Sequence, residues 1–238
     1  VKPGPNAAAT LSRLRQSWRQ GEHVVISGDT GSGKTTLARH IDQIRLDNGA
    51  HVIVFVCKLQ DDETITKDYA GFTRWKRMKK RPRPDEKAIL LWPDTSKGKT
   101  LKEKRNIQRE VFGEAMDILG DTGHWTVHID EGLYFCHPSY IGLADELAIL
   151  HAMGRSSHLT LITLMQRPSH LPLIIYSSAT HAIIGRSNQA SDIKRFSEIG
   201  GKMSPKEVST TIAAQGKYDY LWIPRSADAI PETINLTR

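Results

Sequence analysis

The chain has 238 residues, 39% of them apolar, and a formal net charge of +7, which is long enough for one substantial core and natural for a single α/β domain with decorations. No run of 18 or more apolar residues occurs, which excludes a helical membrane span, and the opening residues lack the apolar stretch of a secretion signal, so a cytoplasmic protein is expected. Only Cys57 and Cys136 are present, both at the ends of apolar runs, so buried reduced thiols are expected rather than a disulfide framework or a metal site.

In chain order, residues 1–20 predict an N-terminal helical extension that packs on a sheet edge or on a neighbouring subunit. "HVVISG" (23–28) is a short apolar strand ending at glycine, and 33–49 has helical spacing, with Leu37, Ile41 and Ile44 on one face and Asn48-Gly49 as the stop. "HVIVFVC" (51–57) is nearly all apolar, as a strand covered on both faces should be. Residues 58–87 form a polar insertion that ends in "RWKRMKKRPRPDEK" (74–87), where eight Lys or Arg face two acids. "AILLWP" (88–93) is the next strand. Residues 97–110, "KGKTLKEKRNIQRE", are again basic and open a helix over 100–119 with Ile107, Val111, Met116 and Leu119 inward.

"HWTVHIDEG" (124–132) is a strand ending in two acids. An amphipathic helix over 142–155 and a buried strand over 159–166 follow. Strands at 180–186 and 218–225 flank two short helices near 189–199 and 204–215, and 226–238 is expected as a C-terminal tail. Seven strands separated mostly by helices imply a largely parallel central sheet with helices on both faces, in one core over 21–225. Outside its two basic segments the chain is mildly acidic, so the positive charge is concentrated. Such a pattern suits a polyanion partner, with a solvated, purely solubilising loop as the plainer alternative.

The chemistry starts at Gly28-Asp29-Thr30-Gly31-Ser32-Gly33-Lys34-Thr35-Thr36, which fits GxxxxGK[ST] at every fixed position and has the required strand before it and helix after it. Glycines let the backbone wrap phosphate oxygens, and the loop N–H groups and helix N-terminus supply positive potential. Lys34 is assigned to the β- and γ-phosphates of ATP and Thr35 to Mg²⁺. At the end of the 124–132 strand, Asp130 is the matching metal acid and Glu131 the base that polarises water. A Glu directly after the metal Asp predicts a P-loop NTPase of the RecA-like (ASCE) type, in which an extra strand lies between the two motif strands.

The segment "GRSSHLTLITLMQRPSHLP" (154–172) resembles the sensor strand of the FtsK/HerA superfamily of DNA-pumping ATPases, with "QRP" at the right distance behind the Asp-Glu pair. "THAIIGRSNQASDIKRFSEIGG" (180–201) is similar to their following "hhhR…D…hL…G" segment, and the resemblance spans residues 22–225. It implies that Gln166 contacts the γ-phosphate or the lytic water, whereas by itself a strand-end amide would cap backbone groups. It also implies that Arg155 is an arginine finger reaching a neighbour's site, with Arg186 and Arg167 as alternatives. The chain shows no membrane anchor, long linker or winged-helix tail, the expectation for a bare motor of the viral packaging or mobile-element type, in the host cytoplasm if viral.

The expected activity is ATP hydrolysis by a homo-oligomeric ring, a pentamer or hexamer, that moves double-stranded DNA gripped by residues 74–87 and 97–110. A capsid portal or another translocation partner would follow from the same resemblance. Trp75 either stacks on a base or, more simply, packs on the chain's own surface. A nucleotide-binding assembly module with little turnover and a small-molecule kinase are the competing readings. Glu131 and Gln166, both parts for hydrolysis, argue against the first, and the proline-broken "RPRP" against a lid for the second.

Overall fold

The computed structural model describes residues 2–3, 5–187, 189–197, 199, 203–225 and 230–237. All seven expected strands form, as β2 (Val24–Ser27), β3 (His51–Phe55), β5 (Ala88–Leu91), β6 (Trp125–Ile129), β7 (Thr160–Met165), β8 (His181–Gly185) and β9 (Asp219–Pro224). Three short or late strands join them: β1 (Lys2–Pro3), β4 (Thr73–Trp75) and β10 (Glu232–Thr237). The sheet order is β1-β10-β9-β8-β2-β7-β6-β3-β5-β4. Pairing is parallel from β8 through β4, while β9 and β10 add antiparallel.

Alternation along the strands divides the core between the two faces of the sheet. Val24 and Ile26 point to one side, where α1 (Pro5–Ser17) and α2 (Lys34–Asp47) cover them with Leu11, Leu14, Trp18, Leu37 and Ile41. Val25, Val127 and Ile129 point to the other, under the long helix α4 (Leu101–Thr122) and the shorter α5 (Gly132–Cys136), α6 (Ala144–Met153), α7 (Leu173–Ser177), α8 (Ala190–Ser197) and α9 (Pro205–Ala214). α4 starts at a capping box in which Thr100 accepts from the Glu103 N–H and Glu103 reaches back. None of the described helices is long and apolar enough to cross a membrane.

The ends of the chain differ from expectation. The segment expected as a tail contributes β10, which pairs with β9 and receives α1: Glu232 accepts from Thr10 at 2.8 Å and pairs with Arg13. Residues 226–229 and 238 of that segment lie outside the described residues, as do 1 and 4 of the N-terminal extension, 188, 198, 200 and 201 of the 180–201 segment, and 202.

The insertion is also more ordered than its composition suggests. It folds into α3 (Glu63–Asp68) and β4, and buries Ile65, Tyr69 and Met78. Many of its cations are neutralised locally. Arg74 pairs with Asp61 at 2.6 Å and lies over the Trp92 ring, Lys76 pairs with Asp94 at 2.8 Å, and Arg77 pairs with Glu110 and Glu114. Trp75 is partly buried against the core, the simpler of its two readings. Lys79, Lys80 and Arg81 remain exposed outside these ion pairs.

Beneath the sheet's N-terminal edge, His23 is 2% exposed, accepts the Leu161 N–H on Nδ1 at 3.1 Å and donates from Nε2 to the His151 carbonyl at 3.2 Å. Burial pushes its pKa down to about 4, and burial together with His23 pushes His151 well below the ordinary histidine value. Unfolded histidines take up a proton near pH ~6.5, so the stability held by neutral His23 is complete above that pH and is lost as pH falls toward 4. A shift of this size corresponds to about 3 kcal/mol. Urea midpoints should therefore fall steeply between pH 6.5 and 4.5, and less steeply in His23→Asn; an equal slope in the variant would assign the acid sensitivity elsewhere.

Candidate active site

Between β2 and α2 the backbone turns through Gly31 and Gly33 at φ of 73° and 94°, where any other residue would be strained. The Lys34 ammonium donates to the Gly28 and Asp29 carbonyls at 2.7 and 2.9 Å and so closes the loop on itself. Burial lowers its pKa, opposed by the charges of Glu131 and Asp29.

Ser32, in the expected nucleotide-binding set, would offer phosphate its backbone N–H rather than its hydroxyl. Its side chain is 2% exposed and turned into the core, with Oγ 2.9 Å from the Tyr220 hydroxyl. That hydroxyl donates to the Ser32 carbonyl at 3.0 Å, and the Ser32 N–H donates to the Asp29 carbonyl at 3.2 Å. Tyr220, on β9, thus braces the loop from below. Gly185 makes room for it, since a Cβ there would stand 3.0 Å from both the Ser27 carbonyl oxygen and the Tyr220 ring. Nothing in the local sequence around Tyr220 marks it for this role.

β7 lies between β2 and β6, and the parallel register brings Ser27 level with Met165 and Thr163 level with Ile129. The inserted strand expected from the Asp-Glu pair is therefore present, and Gln166 emerges between the loop and the acids. Its Nε2 donates to Glu131 Oε2 at 3.2 Å, and its Oε1 accepts from the Thr30 hydroxyl at 3.3 Å. Asp130 Oδ1 accepts the Cys57 N–H at 3.1 Å. Burial raises the pKa of Asp130, opposed by the hydrogen bonds from Cys57 and by the charges of His128 and Lys58. Glu131 is raised by burial and by Asp130, opposed by Lys34 and Gln166. A carboxylate shifted upward in this way is better matched to accepting a proton near neutral pH.

These groups share a cleft of about 910 Å³, lined by Thr30, Gly31, Lys34, Thr35 and Thr36 from the loop, by Asp130, Glu131 and Gln166, and by residues 57–62 after β3. Lys58, in that last stretch, is a cleft cation that the motif reading passed over; its signal is its place directly after the apolar run 51–57. Thr35 and Asp130 present only oxygen donors, a set that fits a hard cation such as Mg²⁺.

The three arginines separate. Arg167 donates to the buried Asp192 at 2.7 Å and anchors α8 beneath the end of β7. Arg186, at the end of β8, lies 3.7 Å from Asp29 of its own loop. Arg155 is exposed in the turn between α6 and β7. That turn is at the opposite end of β7 from Gln166, roughly 20 Å away along six strand residues. Arg155 is therefore not brought together with the cleft of its own chain.

Both cysteines are buried and unpaired by disulfide. Of the histidines near the acidic strand, His128 is fully buried and 2.7 Å from Asp42 of α2, and His124 stacks on His158 at the far edge of the sheet.

No protein-family model and no curated protein matches the chain. Solved structures do. The genome packaging NTPase B204 of Sulfolobus turreted icosahedral virus 2, in complex with AMP, aligns with 92% of this chain and 98% of its own at 17% identity and a TM-score of 0.59. The DNA-packaging ATPase B204 of Sulfolobus turreted icosahedral virus aligns with 93% and 100% at 18% identity and a TM-score of 0.62. The pCW3 conjugation coupling protein TcpA, with ATPγS, aligns with 93% of this chain but 60% of its own, at 17% identity and a TM-score of 0.51. The chain shares the α/β P-loop NTPase fold of these proteins.

Proposed function

We propose that the chain binds and hydrolyses ATP and spends that energy on moving double-stranded DNA, as a ring of five or six identical subunits. The observation that carries the hydrolase reading is the hydrogen-bonded line Thr30–Gln166–Glu131 across the cleft, with Lys34 and Asp130 beside it. A module that only held nucleotide would need neither a carboxylate with a raised pKa nor an amide held against it.

In this reading the loop N–H groups and Lys34 hold the β- and γ-phosphates. Glu131 takes the proton of the attacking water, and Gln166 orients that water and the γ-phosphate, since an amide can donate and accept at once. Thr35 and Asp130 would hold Mg²⁺, which supplies charge neutralisation at the phosphates. Arg155 stabilises the developing phosphoryl charge from the next subunit. Its distance from its own cleft and its exposure support a role in trans.

The DNA part is supported by the fold shared with a DNA-packaging ATPase and a conjugation coupling protein. It is supported also by the cations that internal ion pairs leave over, Lys79, Lys80 and Arg81, and by Lys97, Lys99, Lys102 and Arg109 at the start of α4, all exposed. Such contacts grip phosphates without reading sequence.

The test is the ATPase rate with and without duplex DNA, alongside DNA affinity across a salt series. Stimulation and a steep salt dependence are expected. Changing Lys79, Lys80 and Arg81 together to Glu should reduce the slope of log affinity against log salt by about 2–3. ATP hydrolysis with no response to DNA would leave an ATPase and remove the motor. Absence of hydrolysis would favour the nucleotide-binding assembly module, and phosphate transfer to a small molecule would favour the kinase.

A further inference from the structure

Thr30 occupies a position that GxxxxGK[ST] leaves free, yet its hydroxyl makes a directed contact with a residue 136 positions away in sequence. Gln166 is exposed at the strand end, and a free glutamine there would sample many rotamers. Two partners hold it. Glu131, as a carboxylate, only accepts, so it takes Nε2; the Thr30 hydroxyl donates, so it takes Oε1. Both contacts are satisfied in one sense of the amide only. Thr30 belongs to the loop that wraps phosphate, Gln166 to β7 and Glu131 to the end of β6. One hydroxyl therefore ties the phosphate loop to the amide that faces the base.

We propose that Thr30 is a positioning residue that pins the Gln166 side chain so that its amide stays directed at Glu131, at the edge of the cleft where the attacking water would bind. This rests on the hydrolase reading above. The backbone N–H of residue 30, which is what the loop offers to phosphate, is unchanged by side-chain substitution. Nucleotide affinity and turnover should therefore respond separately.

The experiment compares wild type, Thr30→Val, Thr30→Ser, Gln166→Ala and the Thr30→Val/Gln166→Ala double variant for kcat, KM and ATP dissociation constant. Valine is nearly isosteric and removes only the hydroxyl. Thr30→Val should lower kcat about 3- to 10-fold, the worth of one such hydrogen bond, with ATP affinity changed less than about twofold. Thr30→Ser should return kcat to within about twofold of wild type, since the donor is restored. In the Gln166→Ala background, Thr30→Val should have almost no further effect, a coupling that a general loosening of the loop would not produce. Wild-type kcat in Thr30→Val, the same loss with and without Gln166, or a loss that appears in affinity alone would overturn the assignment while leaving hydrolysis in place. A wild-type chain that does not turn over ATP would instead remove the hydrolase reading, and the positioning role with it.

Discussion

Glu131→Gln is expected to bind ATP as tightly as the wild type while phosphate release falls by about 10²-fold or more, the usual scale for removing a general base. The substitution keeps the shape of the side chain and leaves Asp130, Lys34 and Thr35 untouched, so the loss falls on the chemical step. The neutral amide also relieves the charge repulsion with Asp130 that, after burial, raises the pKa of Glu131. Nucleotide affinity should therefore hold or rise slightly. Equilibrium binding of a fluorescent ATP analogue and single-turnover phosphate release separate the two quantities. A variant that still hydrolyses within a few-fold of wild type would move the base elsewhere in the cleft.

Arg155→Ala is expected to reduce turnover by about 10³-fold with ATP binding intact, the lower end of the range for an arginine that neutralises phosphoryl charge. The side chain is exposed and forms no ion pair among the described residues, so removal should cost little folding stability. The turn that presents it is closely packed: a Cβ on Gly21 would meet the Arg155 carbonyl oxygen at 3.2 Å, and one on Gly154 would meet the His23 ring at 2.7 Å. The decisive measurement mixes Arg155→Ala with Glu131→Gln chains. An interface that joins the intact arginine of one to the intact glutamate of the other is complete, so activity should recover in part. Two inactive proteins that stay inactive when mixed would remove the trans role. Arg167 and Arg186 are poorer candidates, because Asp192 and Asp29 already engage them.

Much of this site could be read from contiguous residues. The phosphate loop is a local object, since a strand end, two left-handed glycines and a helix start suffice to build it, and residues 28–36 contain all three. Asp130 and Glu131 are neighbours at the end of an apolar run, and the long helices followed from their periodicity. Short edge elements were not legible. β4 has three residues and α3 six, within a polar stretch whose composition favours loop. β10 forms because β9 offers it an edge and α1 covers it, neither of which is encoded locally.

Charge counted along the sequence overstates what the fold leaves free. A count along 74–87 sees eight cations, but Asp61, Asp94, Glu110 and Glu114 come from other segments and neutralise three of them.

The sequence alone brought forward the glycine loop, Asp130 and Glu131 as the candidate site, because each is carried by adjacent residues whose backbone geometry is local. Tertiary structure decided which of them meet. The order β2-β7-β6 sets Gln166 between Thr30 and Glu131, and the length of β7 sets Arg155 far from its own cleft. Strand order and register are fixed by which apolar faces bury one another across the whole chain, and no local run of residues contains that information.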